Sequence, residues 1–369
     1  MEKKFVALGL MSGTSMDGID VALLETDGKN RIVPGPHQTF AYSEDMRAVL
    51  VQAMTAAADW ELGADMPEAV KQAEQLVTQT HQQAVAGFTM SHNIDLNVID
   101  VVGFHGQTVL HAPEQGRTVQ IGDGQALADG LGLRVVDQFR LADVAAGGQG
   151  APLAPLYHAA LAHQSGADLP LAVLNLGGVG NLTFIGADGV VLGFDTGPGN
   201  ALLDDWMMQT TGRPFDEGGR LAAAGAVDPG VLQSLLDHPY FLKAPPKSLD
   251  RNAFSLTPCD GLSAADGAAT LSAFTALSVA CAMPYLPEKP RKWVVCGGGR
   301  HNPTLMESLS EAVGVEVMGA EAAVWPGDEL EAQAFAWLAV RNLLGLPFSL
   351  PETTGCAAPT GGGVLRQPS

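Results

Sequence analysis

Two glycine-rich turns, each held between short apolar runs of β-type residues, set the strongest limit on how this chain folds. The first is Met11-Ser12-Gly13-Thr14-Ser15-Met16-Asp17-Gly18, between residues 5–10 and 19–24. The second is Asn175-Leu176-Gly177-Gly178-Val179-Gly180-Asn181, between residues 171–174 and 182–185. Turn residues between strand signals read as hairpins. Glycine admits positive φ and lets a ligand approach the backbone, and turn N–H groups with hydroxyls such as Thr14 and Ser15 donate to phosphate oxygens. One such turn commonly only reverses the chain. Two in separate halves predict a duplicated βββα-type α/β fold whose copies face each other across a ligand-binding cleft.

A length of 369 residues with 46% hydrophobic content suits two α/β domains of ordinary size. They are expected at 1–150 and 151–369, with the C-terminal tail packing back on the first. Forty acidic against 20 basic residues give a formal charge of −20, which argues against a nucleic-acid or anionic-membrane partner. An anionic ligand then needs local compensation from backbone N–H groups, a helix N-terminus and a divalent cation, which implies magnesium. Neither a secretory h-region nor a run of about 18 apolar residues is visible, so a cytoplasmic location is expected. Cys259, Cys281, Cys296 and Cys356 lack zinc or redox spacing and read as reduced packing residues.

Residues 43–90 read as helices and 98–104 as a buried strand ending at His105-Gly106-Gln107-Thr108. Residues 119–121 are a further strand, residues 134–136 lead into Asp137-Gln138-Phe139-Arg140, and 147–152 is the expected crossing between domains. Residues 190–194 form a strand ending at Asp195-Thr196-Gly197-Pro198-Gly199-Asn200, with a helix from Ala201. The breaker-rich stretch 239–255 reads as an exposed loop of the kind that closes over ligands. Residues 266–283 are helical, 293–296 form a strand running into Gly297-Gly298-Gly299-Arg300, and 353–369 read as a loosely ordered tail.

Asp195, a carboxylate at a strand end before a tight turn, serves either as a general base or as the cap of the next helix. Asp17 and Asp20 either hold a magnesium ion beside phosphates or merely shape their turn. The Gly297–Gly299 triplet either lets an adenine ring lie flat on the backbone or serves a strand-to-helix turn. The amide of Gln107 suits sugar hydroxyls and, with Arg140, is the candidate substrate contact, whereas His105 reads as structural. Glu331 opens a helical stretch, where an acid is ordinarily a dipole partner. Lys247 and Arg251 either bring the loop to the substrate or are merely solvated surface cations. Neither a Gly-x-x-x-x-Gly-Lys-Ser/Thr loop nor a Gly-x-Gly-x-x-Gly fingerprint with its acid occurs, which leaves a nucleotide site of another type.

The order of hairpin, second hairpin, strand-Asp-Thr-Gly and late strand-Gly-Gly-Gly resembles the ATPase domain shared by actin, hexokinase and heat-shock chaperones. That resemblance implies two ribonuclease H-like domains with ATP bound in a central cleft. More narrowly, residues 9–18, Phe104-His105-Gly106-Gln107-Thr108, residues 145–152 and Gly193-Phe194-Asp195-Thr196-Gly197-Pro198-Gly199-Asn200 resemble the anhydro-N-acetylmuramic acid kinases. The likeness implies a homodimeric bacterial cell-wall recycling enzyme that uses ATP and water to turn 1,6-anhydro-N-acetylmuramic acid into N-acetylmuramic acid 6-phosphate. It makes Asp195 the base toward water and Glu331 the second acid at the sugar. Gly13, Thr14, Ser15, Met16, Asp17, Gly18, Ile19 and Asp20 become the ATP segment, with Gly177, Gly178 and Asn181 in the second phosphate hairpin and Gly297, Gly298 and Gly299 at the adenosine. One departure stands out: after Pro245-Pro246-Lys247-Ser248 the family usually continues Thr-Gly-Arg-Glu, and here Leu249-Asp250-Arg251-Asn252 follows. Two other readings compete, a superfamily sugar kinase that needs no hydrolytic water and a non-enzymatic ATP-dependent switch. Short loops and the lack of a peptide-binding domain argue against the switch.

Overall fold

Both hairpins form, and each seeds a sheet of the same topology. The computed structural model describes residues 3–13, 16–61, 63–251, 253–327 and 329–369, so Thr14 and Ser15 lie outside the described residues. Strands β1 (Phe5–Ser12), β2 (Gly18–Thr26) and β3 (Ile32–Ala41) make an antiparallel ladder. Helix α1 (Glu44–Ala58) starts where the Ser43 hydroxyl accepts the Met46 N–H, with Glu44 and Asp45 at the positive end of its dipole. It buries Met46, Leu50, Ala53 and Ala57, one stripe at helical spacing. Then come α2 (Glu68–His92), β4 (Val101–Ala112), β5 (Arg117–Ile121), α3 (Gly124–Leu131), β6 (Val135–Asp137), α4 (Leu141–Ala145) and α5 (Pro155–Ser165). Leu8, Leu10, Val21, Val77, Phe88, Val102 and Phe104 belong to the core that joins this sheet to its helices.

The second unit runs through β7 (Leu171–Leu176), β8 (Val179–Ile185), β9 (Val191–Pro198), α6 (Ala201–Thr211), α7 (Arg220–Ala224), α8 (Pro229–Leu236), α9 (Ala264–Ala280), β10 (Lys292–Cys296), α10 (Pro303–Val313) and β11 (Glu316–Gly319). Helix α9 is its core helix. The stretch Ala264–Tyr285 is apolar enough to suit a membrane by composition, yet 67% of its most apolar window is buried inside the unit. Trp206 of α6 packs so closely on α9 that a methyl group on Gly267 would stand 2.2 Å from the indole ring. The chain then returns to the first unit with α11 (Leu330–Leu344), α12 (Pro351–Thr354) and β12 (Val364–Arg366).

Strand order carries the duplication. The first sheet reads β12-β6-β4-β1-β2-β3, with β5 added on β4, and the second β11-β10-β7-β8-β9. In both, three antiparallel strands are extended on the side of the first strand by two parallel ones. These are two ribonuclease H-like α/β units. Helix α11 is seated on the first sheet at Gly9 and Gly103, which face each other across β1 and β4. A methyl group there would meet the Ala332 carbonyl oxygen at 1.7 Å and the Phe335 carbonyl oxygen at 2.1 Å, so only glycine permits this approach.

Several expectations need correction. The chain divides after Ser165 rather than after Gly150, and residues 329–369 belong to the first unit, so 151–369 is not one domain. The segment 147–152 is no crossing. The Asp143 carboxylate accepts the Gly150 N–H at 2.7 Å and the Thr354 hydroxyl at 2.6 Å, tying it to the tail. Nor is the tail loose: β12 pairs antiparallel with β6, and Arg366 meets Asp137 at 3.1 Å. Strand β4 continues through His105-Gly106-Gln107-Thr108, because β5 supplies ladder partners that a local pattern does not reveal.

Candidate active site

In the second unit, Asp195 lies within β9, not on the turn that follows it. Its residue faces Asn181 across the β8–β9 ladder, and the Asn181 amide donates to Asp195 Oδ1. Asp195 Oδ2 accepts the Leu249 N–H at 2.7 Å, while the Asp195 N–H donates to the Lys247 carbonyl at 2.9 Å. The Tyr240 hydroxyl donates to the Asp195 carbonyl at 2.5 Å. Helix α6 begins beyond it at Asn200, so the helix-capping alternative for Asp195 falls away. What remains is a carboxylate only 4% exposed and held through both oxygens.

That environment revises the reading of residues 239–255. The stretch is only partly exposed: Leu242 lies in solvent, yet Tyr240, Phe241, Lys247 and Phe254 are buried, and the backbone at Lys247 and Leu249 grips Asp195. Lys247 Nζ donates to the Tyr240 carbonyl at 3.2 Å and lies 4.4 Å and 5.3 Å from the ring centres of Tyr240 and Tyr285. Burial holds the Lys247 ammonium below the usual lysine range and, with the Asp195 charge, keeps the Tyr240 phenol protonated well above its own. Sequence reasoning missed Tyr240 and weighed Lys247 without its burial. The aromatic pair Tyr240-Phe241 just before the prolines was the available signal that this segment packs inward.

The glycines of this unit divide by role. The Gly199 and Asn200 N–H groups donate to the Gly178 and Gly177 carbonyls at 2.9 and 2.7 Å, and the Asn200 amide donates to the Leu176 carbonyl at 2.9 Å. Methyl groups on Gly199, Gly297 and Gly299 would stand 2.3, 2.3 and 2.6 Å from neighbouring atoms, so these three are required by packing. On Gly177, Gly178 and Gly298 the nearest atoms would be 3.9, 3.8 and 3.8 Å away. There the neighbours stand at ordinary van der Waals distance, so packing does not require these three to be glycine. The Asn200 amide, 3.8 Å from a methyl built on Gly298, links this turn to the second hairpin. Arg300 steadies the turn, donating to the Gly297 carbonyl at 3.0 Å and pairing with Glu321 at 2.7 Å.

In the first unit the hairpin is braced from beneath. The Ser12 hydroxyl donates to Gln107 Oε1 at 2.5 Å and shares a 2.9 Å hydrogen bond with the Tyr42 hydroxyl, while Gln107 Nε2 donates to the Gly13 carbonyl at 3.1 Å. Gln107 is fully buried, so its amide fixes the hairpin. Burial, with Asp17 and Asp20 nearby, pushes the Tyr42 phenol up to about 12. Asp20 accepts from the Thr39 hydroxyl at 2.6 Å, Asp17 is exposed, and Met16 takes φ 55° in the turn. Arg140 donates to His105 Nε2 at 2.9 Å and to the Gly150 carbonyl at 2.7 Å. His105 Nδ1 meets the Gly106 carbonyl at 2.7 Å, and burial, then Arg140, lowers the imidazole to about 3. The ring is therefore neutral, donating from Nδ1 and accepting at Nε2. Glu331 is exposed in the first turn of α11.

The second unit thus holds a buried carboxylate beside its glycine hairpin, and the first unit carries a hairpin of the same topology. The family model described as anhydro-N-acetylmuramic acid kinase matches residues 5–367. A protein of that name from Rhizorhabdus wittichii is 50% identical over 366 residues, covering 99% of this chain and all (100%) of the relative. Those from Paramagnetospirillum magneticum and Rhodopseudomonas palustris are 53% and 51% identical, covering 98% of this chain and 100% and 99% of their own. With the match spanning both units and each segment of the site, the chain belongs to the anhydro-N-acetylmuramic acid kinase family.

Proposed function

We propose that the protein opens 1,6-anhydro-N-acetylmuramic acid with water and phosphorylates it from ATP, giving N-acetylmuramic acid 6-phosphate and ADP. Family membership makes it a sugar kinase, a phosphotransferase acting on an alcohol group. The observation that carries the finer reading is Asp195, a buried carboxylate that caps no helix and is aimed by Asn181 and Leu249.

In this reading Asp195 takes a proton from water as the water oxygen bonds to the anomeric carbon. The bond from that carbon to O6 breaks, and O6 bonds to the γ-phosphorus as the bond to ADP breaks. An acetal oxygen is a poor nucleophile until the water attack pushes electron density onto it. General-base assistance is worth typically ~10²–10⁴-fold. Positioning and charge stabilisation at the phosphoryl group supply much of the rest. The backbone at Gly177 and Gly178 and the braced turn around Gly13 would receive phosphates, Gly298 the adenosine, Glu331 the sugar or the water, and Arg140 the substrate.

Magnesium beside the phosphates belongs to the same reading. Among the described residues no three acidic, histidine or cysteine groups converge, so the ion would take phosphate oxygens and water, with Asp17 or Asp20 beside them. There it would neutralise charge on the phosphates. The family resemblance further supports a cytoplasmic homodimer in peptidoglycan recycling. The test is coupled ADP release with ATP, magnesium and the anhydro sugar: turnover that depends on the sugar supports the reading, and slow hydrolysis indifferent to it defeats it.

A further inference from the structure

Arg251 is the conspicuous cation beside the Gly178 backbone, and it matches the arginine of the family's Thr-Gly-Arg-Glu while its neighbours differ. A methyl group on Gly178 would stand 3.8 Å from Arg251 Nε and 3.8 Å from the Ala201 Cβ, which places the Arg251 side chain along the rim of that backbone. Its Nη2 pairs with Asp205 Oδ1 at 3.1 Å, and the two side chains are 30% and 54% exposed. An ion pair this exposed is screened by water and holds its partners weakly. It is an easily exchanged partner for a guanidinium, whose planar fork matches a phosphate better than it does one carboxylate oxygen. Asp204 is the second acid near Arg251. Burial pushes the Asp204 carboxyl up to about 7, against the pull of Arg251 and with the push of Asp205. In a chain of formal charge −20, a cation here answers the need that an anion on the hairpin creates.

We propose that Arg251, parked on Asp205 at the rim of the Gly177–Gly178 face, is the side chain that grips the terminal phosphate of the bound nucleoside triphosphate. The inference rests on the reading of this hairpin as a phosphate site. On binding, the guanidinium leaves Asp205 for the phosphate oxygens, and Asp205 competes with the nucleotide for it.

Calorimetric titration with a non-hydrolysable ATP analogue and, separately, with ADP tests this, with thermal unfolding of each variant as the structural control. Arg251→Gln is expected to weaken the analogue by about tenfold or more while changing ADP less than about threefold, the signature of one lost charge-assisted contact to the third phosphate. Arg251→Lys recovers part of the loss. Asp205→Asn, which removes the competitor, tightens the analogue by about two- to fivefold, the scale of an exposed ion pair. A purely structural arginine would lower the unfolding temperature and weaken both nucleotides alike, which overturns the proposal. Unchanged analogue binding with a raised KM for the sugar also overturns it, since the arginine then reads a carboxylate of the sugar. Gly178→Val separates the two readings: if it leaves both nucleotides bound normally, the hairpin reading fails and takes the inference with it. If it weakens both while Arg251→Gln weakens neither, only the role of Arg251 falls.

Discussion

Replacing Gly9 by alanine puts the link between fold and chemistry under direct strain. The added methyl group would stand 1.7 Å from the Ala332 carbonyl oxygen, 2.7 Å from its carbon and 2.9 Å from the Ala336 nitrogen. Non-bonded heavy atoms settle at roughly 3.5–4.0 Å, so α11 must withdraw from β1 by roughly 1.5 Å or more. Every atom in the way is backbone, so no side chain can swing aside. Overpacking costs typically ~1–3 kcal/mol, and this contact belongs at the upper end. At roughly 2–4 °C per kcal/mol for units of about 150–250 residues, ~3 kcal/mol lowers the unfolding midpoint by roughly 6–12 °C. Because Glu331 immediately precedes Ala332, the displaced helix carries it along, and on the role proposed for Glu331 a shift near 1 Å costs up to about 10²-fold in turnover. Thermal unfolding followed by circular dichroism, with steady-state ADP release on the folded variant, measures both. Gly361→Ala, whose methyl group would meet only the Leu346 carbonyl at 3.4 Å, is the control and should change neither. A Gly9→Ala protein with the wild-type midpoint and turnover would refute the seating of α11 and its consequence for Glu331.

Asp195→Asn should lower kcat by about 10²–10⁴-fold while leaving ATP affinity within about threefold, as kinetics beside calorimetry will show. Its new NH2 group faces either the Asn181 amide or the Leu249 N–H, so stability falls by about 1–3 kcal/mol. Gly298→Val should weaken nucleotide binding with little change in unfolding temperature, because its neighbours are 3.8 Å away. Gly199→Ala should instead destabilise, its methyl group standing 2.3 Å from the Gly177 carbonyl. Acid should unfold the protein through its interior histidines. Burial lowers His81 and His158 from 6.5 to about 4 and, with Arg140, lowers His105 to about 3. The unfolded chain takes up these protons first, so their stabilisation is complete above pH ~6.5 and is lost as pH falls toward the folded values. Denaturant titrations at several pH values should give a midpoint falling over that window, and His81→Phe should flatten the slope.

The two hairpins were legible because short apolar runs around glycine turns are local signals, and their recurrence announced the duplication. The position of Asp195 within its strand was not, since β9 is prolonged by cross-strand partners on β8 and by the backbone at Lys247 and Leu249. For the same reason β4 ran past His105, and the tail looked loose although β6 and Asp143 hold it. The split of the chain was hidden because α11 returns to Gly9 and Gly103 from over two hundred residues away, a contact that leaves no local trace. Lys247 looked like an ordinary surface lysine because burial between two tyrosines is decided by tertiary packing. Gln107 drew attention as an amide for sugar hydroxyls, and no local signal showed that it also bonds Ser12 and Gly13 beneath the hairpin.

The most direct measurement of the central claim is a single turnover of ATP and 1,6-anhydro-N-acetylmuramic acid in heavy-oxygen water, rapidly quenched, with the product analysed by mass spectrometry. The account predicts one ADP per sugar and a product heavier by a phosphoryl group and one labelled water. The label should sit on the anomeric carbon and be absent from the phosphate. A sugar phosphate that keeps its anhydro bridge, or label appearing in released inorganic phosphate, would contradict it.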